Sequence, residues 1–344
     1  MNKRLFNILC IAFTVLSLVC CKKEESDTTS KYFSGYFDID TPRFLNPGEV
    51  MVFTPKDIAT LQVQSGDEKL PVSYCVTNSA TSKTDTLINS NGEVVLNKLE
   101  ITVPEKIGRY KVTLRASTTG YTAAYVECEY DVVMPGWNEG ASLTNFEIEE
   151  DQEMLIDERD LTSYLVTLVG DTYWMRTNLQ WDGSGKPCYE DEASGPVFGR
   201  YYTHSEAMAA CPDGWCLPSE EDWTALAMNF VNGAEPYCDI PGLAGVLMED
   251  IYFNDIKMWE FWPSVTISNT AHFSAIPTGR ASVVEGDYSF YDFGSYAMFW
   301  TADRNGDNAG VRYINVKNPD LYYAEVNAED NAFSVRCIRK VDGE

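Results

Sequence analysis

Apolar and polar residues alternate in short runs through the first third of the chain. The runs are Val50 to Phe53, Ala59 to Gln64, Val72 to Thr77, Val94 to Val103, Tyr110 to Ala116 and Tyr125 to Val133, each bounded by turn-forming residues. Because successive side chains of a strand point to opposite faces, Val112, Leu114 and Ala116 share one face of their run while Lys111, Thr113 and Arg115 share the other. The pattern predicts an all-β sandwich over residues 32–135. It breaks off at Met134-Pro135-Gly136, so that 136–144 reads as a linker and 145–341 as a second unit. There the period lengthens. Thr203-His204-Ser205-Glu206 and Ser219-Glu220-Glu221-Asp222 each set an N-cap hydroxyl three residues ahead of a carboxylate, the signature of a helix start. After the second, Trp223, Leu226, Ala227 and Phe230 recur at i, i+3, i+4 and i+7, one apolar stripe made to pack on a sheet.

The first twenty residues follow neither period. Lys3 and Arg4 precede an apolar stretch, Leu5 to Val19, that is too short to span a bilayer, which predicts an export signal over 1–20. It ends in Leu18-Val19-Cys20-Cys21, which resembles a lipobox. Cys21 is then the acylated residue, with Cys20 as the alternative, and 21–31 is a lipidated tether. Lys22-Lys23-Glu24-Glu25-Ser26-Asp27 resembles the tag that sends lipoproteins of Bacteroidetes-type bacteria to the outer face of the outer membrane. The expected location is therefore the outer membrane, lipid-anchored and exposed at the cell surface.

Charge narrows the partners. The formal net charge is −26 and the sequence pI about 4.4, and so acidic a surface repels phosphate backbones, which argues against nucleic acid. In an oxidising compartment the five cysteines of the second unit, Cys188, Cys211, Cys216, Cys238 and Cys337, read as disulfide partners with one left over. In the first unit Cys128 keeps phase with apolar Val126, Tyr130 and Val132, whereas Cys75 shares a polar face with Ser73 and Thr77, so a bond between them stays open.

Several blocks of the second unit recur in an order that can be recognised: VGDTYWMRTNLQW (Val169 to Trp181), GRYYTHSEAMAACPDGWCLPSEEDWTAL (Gly199 to Leu226), FSAIPTGRAS (Phe273 to Ser282), FYDFGSYAMFWTA (Phe290 to Ala302) and FSVRCIRK (Phe333 to Lys340). Together they resemble the Fibrobacter succinogenes major paralogous domain. That resemblance implies a fold similar to C-type lectins and formylglycine-generating-enzyme-like domains: α+β, with two helices, small antiparallel sheets and long loops. It also implies a disulfide between Cys211 and Cys337. At Cys216 the sequence departs from the family's usual His or Arg, and a local pair of Cys216 with Cys238 or Cys188 would account for the change. The run from Gly108 to Ala116 resembles a late strand of immunoglobulin-like spacer modules. The full expectation is an immunoglobulin-like β-sandwich followed by a C-type-lectin-like domain.

Two candidate sites follow. Trp259, Phe261 and Trp262 cluster outside the family blocks, and such rings suit stacking on a sugar or packing on a protein ligand. Asp303, Asn305 and Asp307 space oxygen ligands at alternate positions, like the start of a calcium loop, but without the glycine and glutamate that an EF-hand requires. Tyr288, Phe290, Tyr291, Phe293 and Trp300 fall in or beside the family blocks and read as core. Catalysis has little to rest on: His204 and His272 are the only histidines, and neither lies in a recognisable motif. The sequence thus predicts a surface-displayed lipoprotein, not an enzyme, that binds a glycan or a surface protein. The alternatives are a structural component of a cell-surface or fimbria-like assembly and, third, an oxidase-type enzyme.

Overall fold

The computed structural model describes residues 31–33, 37, 39, 41–56, 63–65 and 68–341. The export signal, the lipidated cysteine and all but the last residue of the tether lie outside the described residues. The first unit carries β1 (Phe44–Leu45), β2 (Val50–Phe53), β3 (Val63–Ser65), β4 (Glu68–Leu70), β5 (Ser73–Asn78), β6 (Lys83–Ile88), β7 (Leu99–Thr102), β8 (Gly108–Ser117) and β9 (Ala124–Val132). Five of them form one sheet in the order β1-β9-β8-β5-β6, antiparallel except for β1, which runs parallel to β9. Val112, Leu114 and Ala116 are fully buried on its inner face, as the alternation requires.

Among the described residues no broad second sheet closes over that face to make an immunoglobulin-like sandwich. The inner face is met by β2 and β7, which among the described strands pair with each other alone. Of the run Val94 to Val103 only Leu99–Thr102 becomes strand, while Val94 makes a single bridge to Ile88. Cys75 and Cys128 lie on β5 and β9 of the same sheet with β8 between them, too far across the ladder for the inter-sheet bond.

The second unit departs from its expectation as well. It is mostly strand, divided among many small sheets built from β10 (Leu143–Thr144), β11 (Met154–Ile156), β12 (Ser163–Val169), β13 (Thr172–Met175), β14 (Lys186–Pro187), β15 (Arg200–Tyr201), β16 (Tyr252–Phe253), β17 (Ile256–Lys257), β18 (Arg280–Val284), β19 (Asp287–Tyr291), β20 (Tyr296–Asn305), β21 (Asn308–Asn315), β22 (Leu321–Asn327), β23 (Asn331–Ala332) and β24 (Ile338–Lys340). The largest is the four-stranded β11-β12-β13-β24. The described helices are short: α1 (Gly195–Phe198), α2 (His204–Ala210), α3 (Glu220–Met228) and α4 (Ala244–Leu247). Among the described residues no α+β layout of the C-type-lectin kind is present, because the strands are divided among small separate sheets and the helices are too short to form a layer.

Both capping boxes are realised: Thr203 opens α2 with Glu206 reaching back to its backbone N–H, and Ser219 opens α3 with Asp222 doing the same. The stripe on α3 is buried through Trp223, Leu226 and Ala227, and Trp223 meets the ring of Trp174 at 5.0 Å. Cys211 at the end of α2 is bonded to Cys337 just before β24, 126 residues away. On the chain-entropy model a closure of that length disfavours the unfolded chain by about 5 kcal/mol.

The two units share a core. Phe44 of β1 is buried among the rings of Tyr189, Phe198, Phe253 and Phe293 of the second unit, with centroids 5.3 to 6.0 Å away. Beside it one Asp191 carboxylate oxygen accepts the backbone N–H groups of Arg43 and Phe44, at 2.7 and 2.9 Å. Residues 136–144, the stretch that reads as a linker, are packed into this junction: Ala141, Ser142 and Leu143 are buried, and β10 pairs with β16.

Candidate functional site

The aromatic candidates separate by burial. Trp259 is fully buried, its Nε1 donating to Ala275 O, within the core that also holds Trp223 and Phe273. It anchors the loop from inside and is not available to a ligand. Phe261 and Trp262 stand outside, 78 % and 38 % exposed. Trp262 is steadied by Val265 N–H, which donates to its carbonyl, and by Lys317, whose ammonium lies 5.8 Å from its ring. Ser264 Oγ donates to Lys317 O, so the loop is tied to the β21–β22 connection. The loop tip thus presents two large rings, Trp262 braced and Phe261 standing out in solvent, with an anchor beneath.

The calcium candidates do not converge on an open position. Asp303 accepts the N–H of Glu220, the first residue of α3, at 2.7 Å and the hydroxyl of Tyr237 at 2.9 Å. A carboxylate there complements the positive end of the helix. The same hydrogen bond pushes the Tyr237 hydroxyl up to about 12. Asn305 donates to Glu325, and Gly306-Asp307 form the two-residue turn of the β20–β21 hairpin, with Asn305 paired to Asn308 and Gly306 at φ +62°. Among the described residues no group of three or more His, Cys, Asp or Glu is placed to hold a metal ion.

Cys216 and Cys238 are unbonded and exposed, so the local disulfide between them is not made. Cys188 is likewise unbonded but buried. Burial pushes its thiol up to about 12, against a hydrogen bond from Tyr201, which makes it a poor nucleophile. His204 is interior too: Nε2 donates to Thr301 O at 2.9 Å, the ring meets Trp300 edge-on, and burial lowers its pKa. Of the family-block aromatics, Trp300 is buried, and Tyr288, Phe290 and Phe293 pack partly buried on the shared core.

A concavity absent from the sequence reading opens in the second unit, beside the 136–144 stretch. A cleft of about 520 Å³ is lined by Asn138, Asn145, Phe146, Glu147, Glu249, Asp250, Ile267, Ser268 and Asn269. Its three asparagines sit in the left-handed backbone region, at φ +68°, +66° and +45°. Asn is the side chain after glycine that tolerates this conformation, because its amide can hydrogen-bond locally. Here the amides brace the walls. Asn138 both donates to Phe146 O and accepts from Phe146 N, Asn145 donates to Asp250 O, and Asn269 donates to Glu249 at 2.6 Å.

Beneath the cleft lie charges without solvent. Arg176 reaches Glu249 at 3.7 Å and donates to Ser274 Oγ and Glu147 O. Arg336, wholly buried, donates to Asn178 Oδ1 and to the carbonyls of Met175, Phe273 and Ser274, between the rings of Phe273 and Phe299. Burial pushes its pKa well below the usual arginine range. The signal available for the cleft was three asparagines near turns, which reads in sequence as ordinary loop chemistry.

A family model described as the Fibrobacter succinogenes major domain matches residues 168–339. No curated protein and no solved structure matches the chain.

Proposed function

Because the chain belongs to the Fibrobacter succinogenes major domain family, through the unit that carries the Phe261–Trp262 loop, we propose that it is a binding protein rather than an enzyme. It is held at the outer face of the outer membrane by a lipid on Cys21, or on Cys20, and its second unit takes a glycan or protein ligand. The observation that carries the reading is the pair of exposed rings, Phe261 and Trp262, on a loop anchored by buried Trp259. Large rigid aromatics give much contact area for little lost freedom, which is why they dominate binding energetics. The export-type N-terminus and the strongly acidic composition support display outside the cell and solubility there.

The test is a glycan array probed with the purified protein, with calcium and again with a chelator, for the natural chain and for Phe261→Ala and Trp262→Ala. Saturable binding that either substitution weakens by about tenfold, the loss of roughly 1.4 kcal/mol of contact, is the expected result. Abolition by chelator alone would move the site to Asp303 to Asn308. No binding to any glycan, together with self-association of the protein, would replace this reading with the assembly role.

A further inference from the structure

We propose that the cleft of the second unit lined by Glu147 and Glu249 is a binding site for a primary ammonium flanked by hydroxyl or amide donors, as in a de-N-acetylated amino sugar or a lysine side chain. The site is separate from the Phe261–Trp262 loop and rests on different observations.

Its size comes first. At about 520 Å³ the cleft is in the range of small-ligand pockets. It adjoins a groove of about 430 Å³ that shares Asn138 and Asn145 and extends to Ile107 of the first unit.

The lining is one-sided in its charge. Each of Asn138, Asn145 and Asn269 spends an amide hydrogen on the protein itself. The charged groups of the lining are all carboxylates: Glu147 at an exposed position, Glu249 almost wholly buried, and Asp250. In the adjoining groove Asn254 donates its amide to Val132 O, while its own buried Oδ1 receives no hydrogen bond. No Lys, Arg or His lines the cleft. An ammonium offers three donors and no acceptor, the complement of such a wall, whereas an anion meets like charge.

Charge strengthens the match. Glu249 is almost wholly buried, with Arg176 behind it at 3.7 Å. Burial first, and the nearby Glu147 in addition, raise its pKa. A cation placed between the two carboxylates relieves that repulsion. Asp250 already holds the ammonium of Lys257 at 2.5 Å, so it adds shape rather than free charge. The left-handed asparagine turns fix these walls before any ligand arrives, which lowers the cost of ordering on binding.

The test is titration calorimetry of the full chain with a glucosamine trisaccharide, its fully N-acetylated counterpart and the tripeptide Gly-Lys-Gly. Saturable binding of an ammonium ligand is expected, with the acetylated sugar at least tenfold weaker. The tighter of the two ammonium ligands identifies the source. Glu147→Gln, at an exposed position, should weaken binding tenfold or more, while Val284→Ala, exposed on β18, leaves it unchanged. The proposal is overturned if neither ammonium ligand binds, if acetylation makes no difference, if Glu147→Gln binds normally, or if Val284→Ala causes the same loss.

Discussion

Arg312 and Glu220 are each completely buried and paired at 2.5 to 3.0 Å, with Arg312 also donating to Cys238 O and Glu220 accepting Tyr237 N–H. Removing one charge of such a pair strands the other without water, a loss of about 3 to 5 kcal/mol. Glu220→Gln should therefore lower the urea midpoint sharply with an unchanged slope, and a small shift would mean that water reaches the pair. Reduction or Cys337→Ser removes the Cys211–Cys337 closure and should cost up to about 5 kcal/mol, read as a fall in melting temperature. At this scale sequence distinguishes little. Trp259, Phe261 and Trp262 carry the same chemistry within four positions, and only the packing of the core against Ala275 and Phe273 decides that the first is interior. Asp303 likewise fits a cation loop by spacing, but the tie to the start of α3 is set by a strand pairing that spacing does not express.

Helix starts were legible because a capping box is a local device: its partners lie three residues apart, and the hydrogen bonds need no distant chain. Ser219→Ala should cost about 1 kcal/mol, and Thr203→Ala a similar amount, by thermal melting. Asp222 of the second box also meets Lys340 of β24 at 2.5 Å. Burial works against its ionisation, but the hydrogen bonds from Lys340 and Ser219 prevail and hold its pKa below the usual carboxylate value. A group depressed in this way stabilises the fold above its unfolded pKa, and that contribution disappears as the pH falls through the folded value. In Lys340→Met, where that depression is reduced, the loss of stability on acidification should be smaller than in the natural chain, measured as melting temperature against pH. Coincident curves would show that Lys340 does not contribute. Strands were legible as runs and illegible as sheets. Alternation locates Val50–Phe53 and Gly108–Ser117, but which neighbour each strand takes depends on contacts from far along the chain. The inferred sandwich failed on that point, since among the described strands β2 and β7 found only each other.

For the molecule as a whole, the junction matters most. Phe44 sits in an aromatic box of the other unit, and Asp191 accepts the backbone N–H groups of Phe44 and of Arg43 before it. Loss of a buried phenylalanine costs about 3 to 5 kcal/mol. We expect the natural chain to unfold in one calorimetric transition and Phe44→Ala to separate it into two, with new proteolytic cleavage between 134 and 141. A single undivided transition in the variant would show that the remaining contacts suffice to couple the units. Sequence gave a break in texture at Met134-Pro135-Gly136, but nothing in it announces that a residue ninety positions upstream fills a pocket beyond that break.

The parallel strand that carries Phe44 also determines where tension travels. Arg43 O and Leu45 O accept from Asp131 N and Val133 N, so a pull from upstream of Arg43 loads these bonds side by side, in shear, instead of peeling them one at a time. From there the force line runs through the Asp191 clasp and the Phe44 ring straight into the second unit. The chain from Asn46 to Val133 hangs off that line as a closed loop. A protein tethered at its N-terminal side and dragged by a ligand on its second unit would keep β8, β5 and β6 of its first sheet slack until the Phe44 plug gives way.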